Sequence, residues 1–419
     1  MPKGFQQRDN RSQTPTPNHG PKDLEGPIIL PISKHDRIYR KWPKILREIV
    51  HHMERSGVCL ITCVQRGNTS TPKESKTTVL GVQLESAPDS SREINLSYPK
   101  AFISGTLGGL LELKIPGQAD YITVGLTCFH ILNPSEKDLD PAFRDRVRLW
   151  RKEGIKPEDS MRHRIQVLHP SASAIKDKVE ALGEEIRPIE QDEAFARYRR
   201  LESEGLEDQL GCRAVQRFSR MARTLSELKG FRSDIERFQQ SRREYFGPVY
   251  AASGFRTTAS SNGKRPSNLD WALIEIPHDR IGENTTPDGH YLKDSPVPAD
   301  IEGLPLFIHG QRSGYCKGIK SPADAAKLDY EIVDGTEVPS NTYEHVIFPQ
   351  RGIIFAERGD SGALVFTEDH VVVGMVIGGS TAANAFKPAP SFFTRIEDLI
   401  ADVKLITKAT DVRLKVGRS

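Results

Sequence analysis

Residues 358–366 read RGDSGALVF, in which a Gly-Asp-Ser-Gly turn runs directly into an apolar strand. Glycines on both sides of the Asp-Ser pair let the main chain turn so that successive N–H groups point at one spot. Such N–H groups stabilise the oxyanion that forms when a serine oxygen attacks a carbonyl. The stretch therefore predicts Ser361 as a nucleophile at the entrance to a buried strand.

Two further segments supply the partners that a serine nucleophile needs, a base and an acid that orients the base. GLTCFHIL (125–132) puts His130 at the end of an apolar strand, where a loop or short helix begins. SNLDWALIEI (267–276) puts Asp270 immediately before a strand of buried character. Taken alone, a histidine in the position of His130 is more often a core or surface residue, and an aspartate in the position of Asp270 is an ordinary turn residue. Together with Ser361 they predict a catalytic triad.

The three segments T-C-F-H (127–130), D-W-A-L-I (270–274) and G-D-S-G-A (359–363) resemble the trypsin/chymotrypsin-like serine peptidases. The order His, Asp, Ser is that of this family and differs from the order in subtilisin-like enzymes and α/β-hydrolases. The resemblance covers roughly residues 101–135 and 245–390. It implies an all-β core of two six-stranded antiparallel β-barrels with the triad in the cleft between them.

Roles for individual residues follow from the same resemblance. It implies that His130 is the general base, Asp270 its orienting carboxylate and Ser361 the nucleophile, with the N–H groups of Gly359 and Ser361 forming the oxyanion hole. The implied activity is endopeptidase hydrolysis of a protein or peptide substrate through an acyl-enzyme. We expect neither a metal nor a cofactor.

The resemblance also places a primary specificity pocket. Its base is expected at Phe355 and Ala356, and its wall at Ile377, Gly378 and Gly379. No acid stands at the base, which argues against a preference for Arg or Lys at the P1 position of the substrate. The glycines leave room for a side chain, and Phe355 makes the pocket shallow. We therefore expect a small or medium apolar P1 residue.

Two features depart from the secreted members of this family. No activation sequence is visible before the barrels, so Asp360 is either paired internally or the enzyme is controlled by another switch. The family's paired disulfides are also missing, since the five cysteines are odd in number and widely scattered. HGQRSGYCKG (309–318) looks like the strand that opens the second barrel in intracellular trypsin-like proteins of fungi. These features together predict reduced thiols and an intracellular, cytoplasmic or nuclear, location.

Changes in composition along the chain predict its domain organisation. Residues 1–33 are polar and Pro-rich and are predicted to be a disordered tail. A small α/β subdomain is expected over 34–100 and a peptidase domain over 101–390. A charged, Gly-poor insertion interrupts that domain at about 136–243, and a C-terminal helix and tail follow over 391–419.

Apolar residues at helical spacing predict the individual helices. One is expected over 38–57, two or three within the insertion in the stretches 173–186, 193–205 and 214–243, and one over 391–407. Charges of both signs alternate along the insertion, which is typical of a solvated helical surface. A protein partner that binds through these helices is a further possibility.

Charge and hydropathy argue against several classes of protein. The 59 basic residues nearly balance the 56 acidic ones, so a nucleic-acid or membrane surface is not expected. No run of about 18 apolar residues predicts a membrane span. An esterase on another fold is disfavoured because the serine lies in G-D-S-G and not in a G-x-S-x-G elbow. A catalytically silent or latent protease-like module, acting as a protein-binding scaffold, stays open as the alternative to an active peptidase.

Overall fold

The computed structural model describes residues 28–31, 37–53, 58–67, 79–86, 105–134, 136, 139–206, 209–258, 265–327, 330–333, 336–339, 341–350, 354–379 and 389–415. Its strands, in chain order, are β1 (Ile28–Pro31), β2 (Val58–Gly67), β3 (Val79–Ser86), β4 (Gly109–Lys114), β5 (Ile122–Thr127), β6 (Gln166–Leu168), β7 (Tyr245–Ala252), β8 (Ala272–Glu275), β9 (Pro305–Gly310), β10 (Gly314–Lys320), β11 (Ala325–Lys327), β12 (Tyr330–Val333), β13 (Thr336–Pro339), β14 (Thr342–Pro349), β15 (Leu364–Thr367), β16 (Val372–Gly379), β17 (Ser391–Arg395) and β18 (Asp411–Leu414). Its α-helices are α1 (Arg37–Met53), α2 (Phe129–Leu132), α3 (Pro141–Glu153), α4 (Ala172–Glu190), α5 (Glu193–Ser203), α6 (Cys212–Gln240) and α7 (Ile396–Thr407).

Six strands of the C-terminal half close into an antiparallel barrel. They follow the order β14-β10-β9-β15-β16-β17, and β17 pairs again with β14. Ile319 opposes Phe348 where β10 meets β14, and Val346 opposes Phe392 where β14 meets β17. Because side chains alternate between the two faces of a strand, each strand fills the interior with apolar residues such as Ile308, Val365 and Phe393. One of the two predicted barrels is thereby confirmed.

The other half contains a six-stranded antiparallel sheet in the order β18-β4-β5-β8-β7-β6. Within the described residues its two edge strands, β6 and β18, do not pair with each other, so the prediction of two closed barrels holds for one only. The edge strand β6 has three residues and runs on through His169 to Pro170. Proline lacks an N–H group and cannot donate to a further strand pairing, so the β6–β7 ladder ends here.

A shared apolar core joins the sheet to the barrel. Leu111 and Leu126 of the sheet lie in one buried cluster with Phe366 and Met375 of the barrel and Val403 of α7. The stretch 391–407 was predicted as a single helix, but its first residues form strand β17, which completes the barrel. After α7 the chain forms β18, which pairs with β4 where a tail was expected. Both ends of this segment are therefore built into the sheets.

The N-terminal strands extend the barrel's sheet. β2 pairs with β11 through Ile61 and Ala326, and β11 pairs in turn with β14. The strands predicted as part of a separate α/β subdomain are therefore continuous with the barrel. Strand β1 lies inside the predicted disordered tail and pairs with β2, which corrects that prediction for Ile28–Pro31. Residues 1–27 lie outside the described part of the chain.

Two or three helices were predicted in these stretches of the insertion, and the structure has three, α4, α5 and α6. α4 and α5 both contact α6, and Phe195, Tyr198 and Phe218 form a small cluster between α5 and α6. The first part of the predicted insertion is not a solvated surface, because Trp150 and Val147 of α3 are buried against β7 and β8. No helix among the described residues has the length and apolar character needed to cross a bilayer.

Candidate active site

His130 and Asp270 form a bonded pair at the end of the six-stranded sheet. His130 lies in the short helix α2 that follows β5, and Asp270 precedes β8, the neighbour of β5. The imidazole Nδ1 lies 2.5 Å from Asp270 Oδ2, and the His130 main-chain N–H donates to Asp270 Oδ1 over 2.8 Å. The carboxylate is therefore bound to both the ring and the backbone of the histidine, which fixes the position of the ring.

This arrangement also fixes which ring nitrogen of His130 is free. An ionised carboxylate only accepts hydrogen bonds, so Nδ1 carries the proton that it shares with Asp270. The other nitrogen, Nε2, is left as an acceptor. The side chain of His130 is 32% exposed, whereas that of Asp270 is 10% exposed. The basic nitrogen thus belongs to a ring that is partly exposed to solvent, whereas the carboxylate that orients the ring is largely screened from solvent.

The Cys128 thiol is the third potential metal ligand at this point, since its sulfur lies within 4.8 Å of the ligand atoms of His130 and Asp270. Burial raises the pKa of Cys128 well above its ordinary value, and the charge of Asp270 raises it further. Its sulfur donates to the Val376 carbonyl over 3.2 Å. The thiol hydrogen is thus donated to a main-chain carbonyl of the barrel, and Cys128 packs at the junction of sheet and barrel.

A buried network holds the turn that carries Asp270. Ser253 Oγ accepts from the main-chain N–H of Trp271, and the indole of Trp271 donates to Asp402 of α7 over 2.9 Å. Arg256 also donates to Asp402, which balances the charge of that carboxylate. The position of Asp270 is thereby tied to α7, more than a hundred residues away in the chain.

The main chain of Ser361 lies against the strand end that leads to His130. The Thr106 N–H donates to the Ser361 carbonyl over 2.8 Å, and Thr127 Oγ1 donates to the Thr106 carbonyl over 2.8 Å. The N–H of Gly362 and the thiol of Cys128 both donate to the Val376 carbonyl. The structure therefore brings the segments of all three predicted triad residues together at the junction of sheet and barrel.

Gly359 shapes the turn that precedes Ser361. Its φ of +112° lies in a region that residues with a side chain rarely adopt. Thr106 Oγ1 donates to the Gly359 carbonyl over 3.0 Å, which turns that carbonyl away from the serine. Among the described residues the main-chain N–H groups of Gly359 and Ser361 have no acceptor, whereas that of Asp360 donates to Glu357. The two groups predicted for an oxyanion hole therefore have no main-chain acceptor in the described part of the chain, and Gly359 itself is buried.

Asp360, between them, is fully buried and accepts four hydrogen bonds. Oδ1 accepts from the main-chain N–H groups of Arg312 and Ser313, and Oδ2 accepts from Ser313 Oγ and the N–H of Glu357. Gly310 makes room for the carboxylate, since a Cβ there would lie 2.2 Å from Asp360 Oδ1. Of the two alternatives for Asp360, internal pairing is the one present in the structure.

The five predicted pocket residues lie in different surroundings. Phe355 is completely buried in the barrel core, where its ring packs over Gly318. Ala356 and Ile377 are half-buried, and Gly379 at the end of β16 is exposed. No described atom lies within 4 Å of the point where a side chain on Gly378 would begin. The ring of Phe355 is therefore part of the core, and among the described residues there is open space beside Gly378.

Three residues important to this geometry were missed by sequence reasoning: Thr106, Ser313 and Asp402. Thr106 and Asp402 have no local motif that marks them, because their partners lie far away in the chain. Ser313 lies in the segment HGQRSGYCKG, which had been noted only as the opening of a barrel strand. Its place between two glycines, Gly310 and Gly314, was the one local signal of a turn.

No protein-family model matches the sequence, and no curated protein is similar to it. Solved structures similar to the chain include a glutamic acid-specific serine protease with a histidine triad in substrate binding, at 12% identity and a TM-score of 0.27, covering 41% of this chain and 74% of the other. Cellulomonas bogoriensis chymotrypsin matches at 16% identity and a TM-score of 0.24, covering 41% and 91%. Thermobifida fusca protease A matches at 14% and 0.24, with the same coverage. These identities and TM-scores are too low for the similarities to support an assignment of the site.

The structural class of the protein is therefore defined by its own fold and side chains. It is an antiparallel β protein with one closed six-stranded barrel and a second six-stranded sheet. A bonded His–Asp pair and a Gly-Asp-Ser-Gly turn lie where the two meet.

Proposed function

We propose that this protein is a serine endopeptidase with His130, Asp270 and Ser361 as its triad. The observation that carries the proposal is that the Asp270 carboxylate is hydrogen-bonded to both the ring and the main chain of His130. In this proposal Nε2 is the base, and the Ser361 carbonyl accepts from the Thr106 N–H, while the Thr106 carbonyl accepts in turn from Thr127 at the end of β5. The substrates are proteins or peptides.

In this proposal Ser361 Oγ attacks the carbonyl carbon of the scissile peptide bond, and His130 Nε2 takes its proton. Asp270 stabilises the resulting imidazolium, and the N–H groups of Gly359 and Ser361 donate to the oxyanion. His130 then gives the proton to the departing amine nitrogen as the C–N bond breaks, which leaves an acyl-enzyme. Water attacks the acyl carbon with His130 as base, and the carboxylic acid product leaves Ser361.

The proposed P1 residue is small or medium-sized and apolar. The half-buried Ile377 and Ala356 offer apolar contacts, and the space beside Gly378 admits a side chain. Neither the base nor the wall of the proposed pocket carries an acid that would pair with Arg or Lys. A charged P1 side chain would lose hydration there without gaining a partner.

Incubating the protein with a peptide library and mapping the new termini by mass spectrometry tests both parts of the proposal. We expect cleavage after small or medium apolar residues, and no cleavage by Ser361→Ala. Asp270→Asn should cut roughly 10⁴-fold more slowly, since it favours the wrong histidine tautomer. A profile dominated by Arg and Lys at P1 would overturn the pocket assignment alone. A folded protein that cleaves nothing would favour the silent binding module.

A further inference from the structure

Outside the proposed active site, two turns bring Asp288, His290 and His370 together. The potential ligand atoms of the three side chains all lie within 4.8 Å of one another. The imidazole rings of His290 and His370 face each other with centroids 4.7 Å apart, and His290 Nε2 lies 3.7 Å from Asp288 Oδ2. Two imidazoles and a carboxylate are a typical ligand set of zinc sites that leave a fourth position to water.

The turn that carries Asp288 and His290 is closed by its own hydrogen bonds. The Thr286 N–H donates to the His290 carbonyl over 2.8 Å, and the His290 N–H donates back to Thr286 Oγ1. Gly289 between the two ligands has a φ of +87°. The turn therefore holds Asp288 and His290 beside each other.

The turn that carries His370 is bound to the first one by the main chain. The Lys293 N–H donates to the His370 carbonyl over 2.8 Å, and the Val372 N–H donates to the Lys293 carbonyl over 3.2 Å. The ring of His370 stacks on Phe366, which is 2% exposed. Separating the two ligand-bearing turns would require these main-chain hydrogen bonds to break.

We propose that Asp288, His290 and His370 bind a divalent zinc-class cation that clamps the β8–β9 connection to the β15–β16 hairpin. Ligand atoms on a tetrahedral zinc ion lie about 3.3 Å apart, given Zn–N and Zn–O bonds of about 2.0 Å. Rotations of the exposed side chains therefore suffice to close the observed spacing around an ion. The site lies at the opposite end of β15 from Ser361, and its occupancy is independent of the proposed peptidase activity.

Calorimetric titration of the full chain, first stripped with EDTA, with zinc chloride tests this proposal. The variants are His290→Gln and His370→Asn; asparagine tolerates the φ of +66° that His370 adopts. We expect each variant to lose one bound zinc ion, or to bind it at least tenfold more weakly, with unchanged circular dichroism. His278→Ala, at an exposed histidine earlier in the β8–β9 connection and outside the cluster, should bind zinc as the unaltered chain does.

A second readout is the melting temperature. Zinc should raise it in the unaltered chain and in His278→Ala, and less in the two cluster variants, because the ligand stabilises only the folded state. Magnesium should have no such effect, since it prefers oxygen ligands. An unaltered chain that binds no zinc at 100-fold molar excess would overturn the proposal. Equal zinc stoichiometry and affinity in all four proteins would overturn it as well.

Discussion

At the scale of single residues, Asp360 shows how the turn before Ser361 is held. The carboxylate has no exposed surface, and its four donors come from the β9–β10 turn and from Glu357. A buried charge is tolerated only when its hydrogen bonds are made. This arrangement holds the proposed oxyanion hole in place without a newly formed chain terminus.

Ser313→Ala removes the one side-chain donor to Asp360 and keeps the three main-chain donors. We expect a loss of about 1–3 kcal/mol in the free energy of unfolding, since a buried carboxylate loses a partner. The acylation rate of Ser361 by a fluorophosphonate should fall by roughly tenfold if about 1.4 kcal/mol of this loss is felt at the oxyanion hole. Ser241→Ala, an exposed serine bonded locally to Phe238, is the control and should change neither quantity. A Ser313→Ala protein acylated at the control rate would contradict this assignment.

At the scale of elements, α3 and the turn after it are anchored by Asp159. This carboxylate accepts hydrogen bonds from Arg146, from the indole of Trp150 and from the main chain of Met161. Burial raises the pKa of Asp159, but these hydrogen bonds outweigh it and lower the pKa below the ordinary value of 3.8. The ionised carboxylate is therefore bound more tightly in the folded state than in the unfolded state.

Asp159→Asn should lower the free energy of unfolding by about 2 kcal/mol at pH 7, measured by urea denaturation with tryptophan fluorescence. Because the folded pKa lies below the unfolded one, the stabilisation is complete above pH 3.8 and is lost as the pH falls through the folded value. The difference between the two proteins should therefore shrink towards pH 2. The matched control is Asp234→Asn, an exposed carboxylate paired with Arg237, which should be close to neutral. A deficit for Asp159→Asn that is as large at pH 2 as at pH 7 would refute the linkage.

The elements that sequence predicted best are those with a strong local period. The helices α4, α5 and α6 were predicted because their apolar spacing is read within the segment itself. α3 was assigned to a solvated insertion because the burial of Trp150 depends on β7 and β8, which follow about a hundred residues later. Strand β17 was assigned to a helix for the same reason, since its pairing with β14 and β16 is not visible locally.

At the scale of the whole molecule, α4, α5 and α6 leave and rejoin the sheet at neighbouring points. Leu168 of β6 opposes Tyr245 of β7, and the His169 N–H donates to the Glu244 carbonyl over 2.8 Å. The ends of the segment are thus already held together by main-chain bonds. The segment between them contributes none of the strand pairings of this sheet.

Replacing residues 172–240 with a short Gly/Ser linker should therefore leave a folded protein with less helix. We expect fluorophosphonate acylation of Ser361 within about twofold of the full chain, because main-chain bonds between β6 and β7 already hold the two ends of the segment together. The contrasting variant replaces residues 141–165, whose Phe143, Val147 and Trp150 are buried in the core, and should not fold. Loss of folding in the 172–240 replacement would show that these helices are part of the core.

The order of His130, Asp270 and Ser361 could be read from sequence, because each stands beside a short apolar strand. Sequence alone could not supply Thr106, Ser313 and Asp402, since their hydrogen bonds span the sheet, the barrel and α7. The barrel's ring of six strands was anticipated, whereas the open edge of the other sheet was not. In each case the sequence does not show which residues pair across a long separation in the chain.

The central claim is that Ser361 is a nucleophile activated by His130. Treating the intact protein with a fluorophosphonate and locating the adduct by peptide mass spectrometry tests it most directly. We predict a single adduct on Ser361 that disappears in His130→Ala, while circular dichroism stays unchanged. A folded protein that forms no adduct, or an adduct on Ser361 that forms equally fast in His130→Ala, would contradict the claim.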